Sequence, residues 1–147
     1  MTIQIDCAVS RIATVLYTAR TRTTGGREYG ASRSSDGSLD IRLATPGSSR
    51  IGANPEQLFA AAWSASLESA IAVVARQRAI TIPVGLAIEA EIDLCLADGA
   101  YFLQARLSVS LPGVEREVAK ALADEAHRTC AYSKATRGHI DVVIELV

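Results

Sequence analysis

The chain has 147 residues, of which 49% are hydrophobic, so we expect one domain over residues 1–147 with one sizeable core. Fifteen Lys and Arg residues against sixteen Asp and Glu residues give a formal net charge of −1. This balance argues against nucleic-acid binding, because proteins that bind polyanions normally carry a basic excess. The sequence has no run of 18 apolar residues and no secretory-signal pattern, so we expect a soluble, cytoplasmic protein without a membrane span.

The cysteine content excludes two further classes of protein. Cys7, Cys95 and Cys130 are too few and too scattered for a disulfide scaffold. They also lack the CxxC spacing of metal ligands, and only two histidines are available to join them. We therefore expect neither a metal nor a cofactor.

The first third of the chain predicts short strands separated by glycine turns. β-Branched and aromatic residues precede the Gly25-Gly26 turn, and Asp36-Gly37 is a strong hairpin signal. We predict strands over residues 12–23, 29–35 and 39–43, followed by a loop over residues 44–54.

A long helix is predicted next. Asn54 is a favourable N-cap, Pro55 suits the first helical position, and Glu56 suits the positive end of the helix dipole. Residues 57–78 contain neither Gly nor Pro, and nearly all sides of this segment are apolar. Such a helix is expected to be buried, either in the core of one chain or between subunits.

The remainder predicts a hairpin, a helix and a last strand. Apolar residues alternate on both sides of Asp98-Gly99, and an amphipathic pattern follows Pro112-Gly113. We predict strands over residues 86–96 and 101–111, a helix over residues 114–130 and a strand over residues 139–147. The order βββ-α-ββ-α-β predicts a two-layer α+β domain with antiparallel-rich sheets around a long buried helix.

Two sequence stretches carry a family resemblance. They are NPEQLFAAAWSAS at residues 54–66 and AHRTCAYSKATRG at residues 126–138. With LYTA, TGGR, SDG and LPG in the same order, they make the chain resemble the organic hydroperoxide resistance proteins of the OsmC superfamily. The resemblance implies an OsmC-like fold and an intertwined homodimer with its sites at the subunit boundary.

The resemblance also implies a thiol-dependent peroxidase that defends against oxidative stress. In that family a cysteine on the buried helix attacks a lipophilic organic hydroperoxide, and a second, resolving cysteine forms a disulfide with it. A dithiol such as a lipoyl group then acts as reductant. By position, Arg27 and Glu56 are the activating residues, Cys130 is the resolving cysteine, and Ser66 occupies the place of the peroxidatic cysteine.

At position 66 the sequence departs from the family pattern, because Ser66 stands where the family has its attacking cysteine. A serine hydroxyl is a far weaker acid than a thiol and cannot cycle through a sulfenic acid and a disulfide. The chain as written is therefore expected to lack peroxidase turnover. An engineered Cys-to-Ser change is favoured over natural loss because Arg27, Glu56 and Cys130 are all present. The alternative is a naturally non-catalytic member that binds an apolar ligand or senses oxidants through Cys130.

Several residues have competing interpretations. The apolar side chains of the long helix could line a substrate pocket or simply pack in the core; they are Leu58, Phe59, Trp63 and Leu67. A serine hydrolase built on Ser66 and His127 is a weak hypothesis, since the glycines of a nucleophile elbow are absent. Cys130 is predicted near a helix C-terminus, where the dipole disfavours a thiolate.

One geometric question is open at this point. Glu56 and Ser66 are ten positions apart, about 15 Å along a straight helix. Both can reach Arg27 only if the helix breaks between them or the arginine side chain spans part of the gap.

Overall fold

The computed structural model describes residues 13–82 and 84–147, so Cys7 and the first residue of the predicted strand 12–23 lie outside it. Six strands and four helices follow one another in the described residues. In chain order they are β1 (Thr21–Thr24), α1 (Gly26–Tyr29), β2 (Ala31–Ser34), β3 (Asp40–Arg42), α2 (Pro55–Gln77), β4 (Ala87–Ala97), β5 (Ala100–Ser110), α3 (Arg116–Thr129), α4 (Ala131–Thr136) and β6 (Asp141–Leu146). The α+β class and the order of the long elements are confirmed, while the short helices α1 and α4 were not predicted.

The first sheet is small and antiparallel, in the order β1-β2-β3. The turn at Asp36-Gly37 joins β2 and β3 as predicted. The first strand is much shorter than the predicted 12–23, because β1 pairs with β2 only from Thr21 to Thr24 and residues 13–20 form no regular element. β-Branched composition alone does not make a strand where no partner strand is alongside.

The N-terminus of α2 follows the prediction closely. Asn54 Oδ1 accepts a hydrogen bond from the Gln57 amide at 2.8 Å, and Gln57 Oε1 accepts one from the Asn54 amide at 3.0 Å. This reciprocal capping box satisfies two amides that would otherwise lack a helical partner, and Pro55 occupies the first turn. The helix then runs for 23 residues without a break.

The second sheet has the order β4-β5-β6. β4 and β5 form a long antiparallel hairpin, as the alternating pattern predicts. β6 pairs with β5 in parallel, which the sequence did not reveal. The parallel pairing is possible because α3 and α4 lie between β5 and β6 and carry the chain back along the sheet.

The core lies between α2, α3 and the inner face of the second sheet. Its fully buried side chains include Trp63, Leu67 and Ile71 from α2, with Leu107 and Leu122 from β5 and α3. By length and composition α2 could cross a membrane, but it supplies the core of this fold and packs against β4, α3 and α4.

Only one face of α2 is buried in the single chain. Five of its 23 residues are buried, and the side opposite the core is open, with Val73 at 48% exposure. The expectation that the helix is buried on nearly all sides is therefore not met by the chain's own packing. The open side carries Ala61, Ala65 and Val73 together with Glu68 and Ser69, and the small first sheet makes at most a weak contact with α2.

Candidate functional site

An ion pair stands at the N-terminal end of α2. Arg27 Nη2 donates to Glu56 Oε2 at 2.6 Å, with the two side chains 40% and 15% exposed. Glu56 lies in the first turn of the helix, where the dipole stabilises a carboxylate. Arg27 lies on the one-turn helix α1, which starts after Gly25 at φ 74°. A side chain at Gly25 would bring its Cβ to 2.9 Å from the Gly30 Cα, so the tight turn that positions Arg27 needs glycine there.

A cleft of about 720 Å³ opens beside this ion pair. One end is charged, and the opposite wall is formed by the inward-facing residues of β4. Its lining residues are Arg27, Thr45, Pro46, Asn54, Glu56, Gln57, Ala60, Ala90, Ile92, Leu94 and Tyr101. A cavity with an apolar wall and a few polar groups at one end suits a ligand that is largely apolar.

The four residues expected to line a pocket lie elsewhere. Trp63 and Leu67 are fully buried in the core, and Phe59 packs against Trp63 with ring centroids 5.5 Å apart. Leu58 is partly buried, and none of the four lines the cleft. The four-residue spacing of Phe59, Trp63 and Leu67 turns them toward the core, so the apolar wall comes from β4 instead. The alternation of β4 was the signal that could have identified it.

A second polar contact lies in the middle of α2. Ser66 Oγ is 3.3 Å from Cys130 Sγ, and Cys130 is a free thiol with 3% exposure. Cys130 stands at the junction of two helices, as the last cap of α3 and the first cap of α4. The sequence therefore predicted the helix end correctly but missed α4, which begins immediately after it.

The surroundings of Cys130 shift the pKa of its thiol in both directions. Burial raises the pKa of the thiol, but interactions of the sulfur with the Ser66 hydroxyl, with the backbone and hydroxyl of Ser133, and with the backbone of Tyr132 lower it. The net result is a pKa below the ordinary 9.0. The direction of this shift runs against the expectation that a helix C-terminus disfavours the thiolate at Cys130.

The two contacts are separate in space. α2 is unbroken between Glu56 and Ser66, so about 15 Å of helix separates the two residues. Arg27 reaches Glu56, while Ser66 reaches Cys130. The open question about the helix is thus answered: it does not break, and Arg27 pairs with the carboxylate near its start.

Cys95 and His127 lie outside the two contacts described above. Cys95 Sγ contacts Gln104 Oε1 at 3.7 Å on the hairpin, and it is a free thiol. His127 Nδ1 is buried without a hydrogen-bond partner, and burial lowers the pKa of this imidazole. Within residues 13–82 and 84–147, no three His, Cys, Asp or Glu side chains lie close enough to hold a metal ion.

Comparisons with known proteins agree with the motifs. The model of the family described as OsmC-like protein matches residues 46–145. The chain is 40% identical over 136 residues to an organic hydroperoxide resistance protein of Xanthomonas axonopodis pv. citri, covering 90% of this chain and 95% of the relative. It is 38% identical over 136 residues to the organic hydroperoxide resistance protein OhrB of Bacillus subtilis, covering 89% and 98%.

The fold agrees as well. The crystal structure of the Bacillus subtilis OhrB protein superposes with a TM-score of 0.85, covering 90% of this chain and all of that one. A putative organic hydroperoxide resistance protein of Vibrio cholerae superposes with a TM-score of 0.85 at 29% identity, covering 92% of this chain and 95% of that one. By family match, identity over most of its length and fold, the chain belongs to the OsmC-like family and groups with its organic hydroperoxide resistance proteins.

Proposed function

We propose that this chain has the scaffold of a thiol-dependent peroxidase for lipophilic organic hydroperoxides, with Ser66 in the place of the attacking cysteine. The observation that carries the proposal is the 3.3 Å contact between Ser66 Oγ and Cys130 Sγ. A cysteine at position 66 would bring a second sulfur beside Cys130, which is the arrangement that disulfide formation requires. With serine there, the chain as it stands has no turnover.

The chemistry depends on the sulfur. A thiolate attacks one oxygen of the hydroperoxide, the O–O bond breaks, an alcohol leaves, and a sulfenic acid forms. The neighbouring thiol then displaces water from the sulfenic acid to form a disulfide, which a dithiol reduces back to two thiols. A serine oxygen can do neither step, because it is not ionised near neutral pH and has no matching oxidation state.

The cleft supports the substrate class. Its β4 wall offers apolar contacts for the organic part of a hydroperoxide, while Arg27 and Glu56 supply polar groups at the entrance. Ala60 is the cleft residue furthest along α2, six positions before Ser66. A lipophilic hydroperoxide in the cytoplasm, with a lipoyl-type dithiol as reductant, fits these features and the family resemblance.

The experiment that tests this function places a cysteine at position 66. The Ser66→Cys protein is assayed with cumene hydroperoxide and dihydrolipoamide, and we expect turnover that the parent chain lacks. Without reductant, one mild dose of hydroperoxide should lower the titratable thiols of the denatured variant from four to two. Ser66→Ala is the matched control for the change of side chain, and Cys130→Ser in the restored protein should abolish the thiol pair. Absence of turnover in Ser66→Cys contradicts the proposal.

The second candidate is a naturally non-catalytic protein that binds an apolar ligand or senses oxidants through Cys130. The lowered pKa of Cys130 and the open apolar cleft favour it. It predicts that serine is the natural residue at position 66 and that Ser66→Cys gains no activity. Sequencing the source gene at codon 66, together with the assay above, separates the two candidates.

We also propose that the chain, as one domain over residues 1–147, forms a homodimer. The outer face of α2 exposes Val73 with Ala61 and Ala65. The β4–β5 hairpin exposes large apolar side chains near its tip, namely Leu94, Leu96, Tyr101 and Phe102. Exposed apolar patches of this kind are typical of interaction surfaces. We expect an interface above about 2,000 Å², and a monomeric mass by light scattering at micromolar concentration would refute it.

A further inference from the structure

One face of the first sheet is lined with arginines. Arg22 on β1 stands directly opposite Arg33 on β2. Arg42 on β3 stands opposite Ala31, which lies two positions before Arg33 on β2 and therefore on the same face. Arg20 lines a shallow cavity together with Arg22 and Arg33. All four arginines are exposed, so the formal net charge of −1 conceals a local basic excess, which we call the arginine face.

Ion pairing neutralises only part of the arginine face. Arg33 Nε donates to Asp40 Oδ1 at 2.8 Å, while none of the other three arginines has a carboxylate at ion-pair distance in the part of the chain that the structure describes. Because β2 lies between β1 and β3, Asp40 and Arg22 flank Arg33 on opposite sides. Like charges directly opposite each other in a sheet are destabilising, so the Arg22–Arg33 pair lowers stability unless an anion lies between the two guanidinium groups.

The sheet has a depression at this position. A cavity of about 220 Å³ is lined by Arg22, Thr24, Ala31 and Arg33. Thr24 stands opposite Ala31, whose short side chain leaves the space between its longer neighbours open. A water molecule takes up about 30 Å³ of liquid, so the cavity has room for a group of several non-hydrogen atoms. Its polar groups are two guanidinium groups and one hydroxyl, and all three can donate hydrogen bonds.

We propose that Arg22, Arg33 and Thr24 form a binding site for a phosphate group. A guanidinium presents pairs of N–H donors whose spacing matches two phosphate oxygens. A phosphate between Arg22 and Arg33 replaces their mutual repulsion by two attractive contacts, and the Thr24 hydroxyl donates a third. Arg20 and Arg42 add positive charge on the same face.

The site is separate from the proposed peroxidase machinery. It shares no residue with the cleft, with the Arg27–Glu56 pair or with the Ser66–Cys130 contact. The inference therefore goes beyond the proposed function and does not depend on it. Free inorganic phosphate and the headgroup of an anionic lipid offer the same chemistry, so the experiment has one arm for each source.

The first arm titrates the protein with sodium phosphate, while sodium chloride holds the ionic strength constant. Binding is followed by the NMR signals of the arginine Nε–H groups and of the Thr24 amide. We expect saturable shifts in the parent chain. Arg22→Gln and Arg33→Gln should each lower the apparent affinity by about tenfold, the effect of one lost hydrogen bond to a charged group.

Two controls accompany this titration. Arg128→Gln removes an exposed arginine from α3, far along the chain from the first sheet, and should leave the phosphate titration unchanged. Thermal unfolding establishes that each variant is folded. Without phosphate, Arg22→Gln should be at least as stable as the parent, because the like-charge pair is gone.

The second arm measures sedimentation with vesicles of phosphatidylcholine alone and of phosphatidylcholine mixed with an equal part of phosphatidylglycerol. If a lipid headgroup supplies the phosphate, the parent sediments with the anionic vesicles only. Arg22→Gln should then lower the partition coefficient by about fivefold, the effect of one basic residue near an anionic surface.

The two arms together decide the proposal. Binding in either arm that Arg22→Gln and Arg33→Gln weaken, and that Arg128→Gln keeps, supports the site and identifies the source of the phosphate. Binding that Arg22→Gln and Arg33→Gln retain at full strength overturns the proposal. Absence of binding by the parent in both arms overturns it as well.

Discussion

The start and the middle of α2 are built on different physical principles. At the start, Glu56 pairs with Arg27 beside an open cleft, and the contact is ionic and half exposed. In the middle, Ser66 meets Cys130 in a buried site whose partners are all uncharged. The family resemblance assigns the residues at the start and in the middle of α2 to one reaction. In this chain these residues form two separate contacts.

A thiolate at position 66 would add a charge between these two contacts. It would be an anion near the middle of the helix, able to compete for the Arg27 guanidinium. In this chain Arg27 pairs with Glu56, while the hydroxyl of the neutral Ser66 contacts the Cys130 sulfur. The ionic contact and the neutral contact share no residue, so each can be perturbed without the other.

The largest expected effect concerns stability in the middle of α2. Trp63→Ala removes a fully buried ring and its hydrogen bond to Ser133, so the free energy of unfolding should fall by about 3–5 kcal/mol. Leu94→Ala, at the 43% exposed cleft wall, should cost about 1 kcal/mol or less. Urea unfolding at pH 7 measures both, and equal losses would contradict the division between core and cleft.

The next effect tests whether the ionic end acts on a thiolate at position 66. In the Ser66→Cys protein, Arg27→Ala should slow the loss of thiols to an organic hydroperoxide by about tenfold or more, because the activating cation is gone. Arg33→Ala is the matched control, since Arg33 is an exposed arginine paired with Asp40. If Arg27→Ala reacts as fast as its parent, the activating role of Arg27 is wrong.

A smaller effect is expected from the cap of α2. Asn54→Ala removes the acceptor of the Gln57 amide and should lower the free energy of unfolding by about 1 kcal/mol. Asn54→Asp keeps an acceptor and should lose much less. Chemical denaturation of the three proteins checks the order, and an Asn54→Asp protein as unstable as Asn54→Ala would show that the cap is not the cause.

The smallest effect is a pH dependence from the neutral site. The pKa of Cys130 is lower in the fold than its ordinary 9.0, so its stabilising contribution is fully present above about pH 9 and is lost as the pH falls through the folded value. The stability difference between the parent and Cys130→Ala should therefore grow in favour of the parent from neutral pH toward pH 9. A difference that stays flat over this range would mean that the fold does not favour the thiolate.

Local rules account for much of what the sequence predicted correctly. Asn54, Pro55 and Gln57 define the start of α2 through hydrogen bonds within four residues of one another. The hairpins at Asp36-Gly37 and Asp98-Gly99 follow from turn residues and alternation in the adjoining strands. The ordered motifs also identified the family, because they are carried by residue identity rather than by packing.

The sequence by itself determined the long elements, the family and the candidate residues Arg27, Glu56, Ser66 and Cys130. The tertiary structure alone decided which of them meet, because that depends on an unbroken helix and on α4 starting at Cys130. It also assigned the cleft wall to β4 and left one face of α2 open, since burial depends on neighbours that are distant in the chain. Local periodicity shows which side of an element is apolar, but only packing shows what covers it.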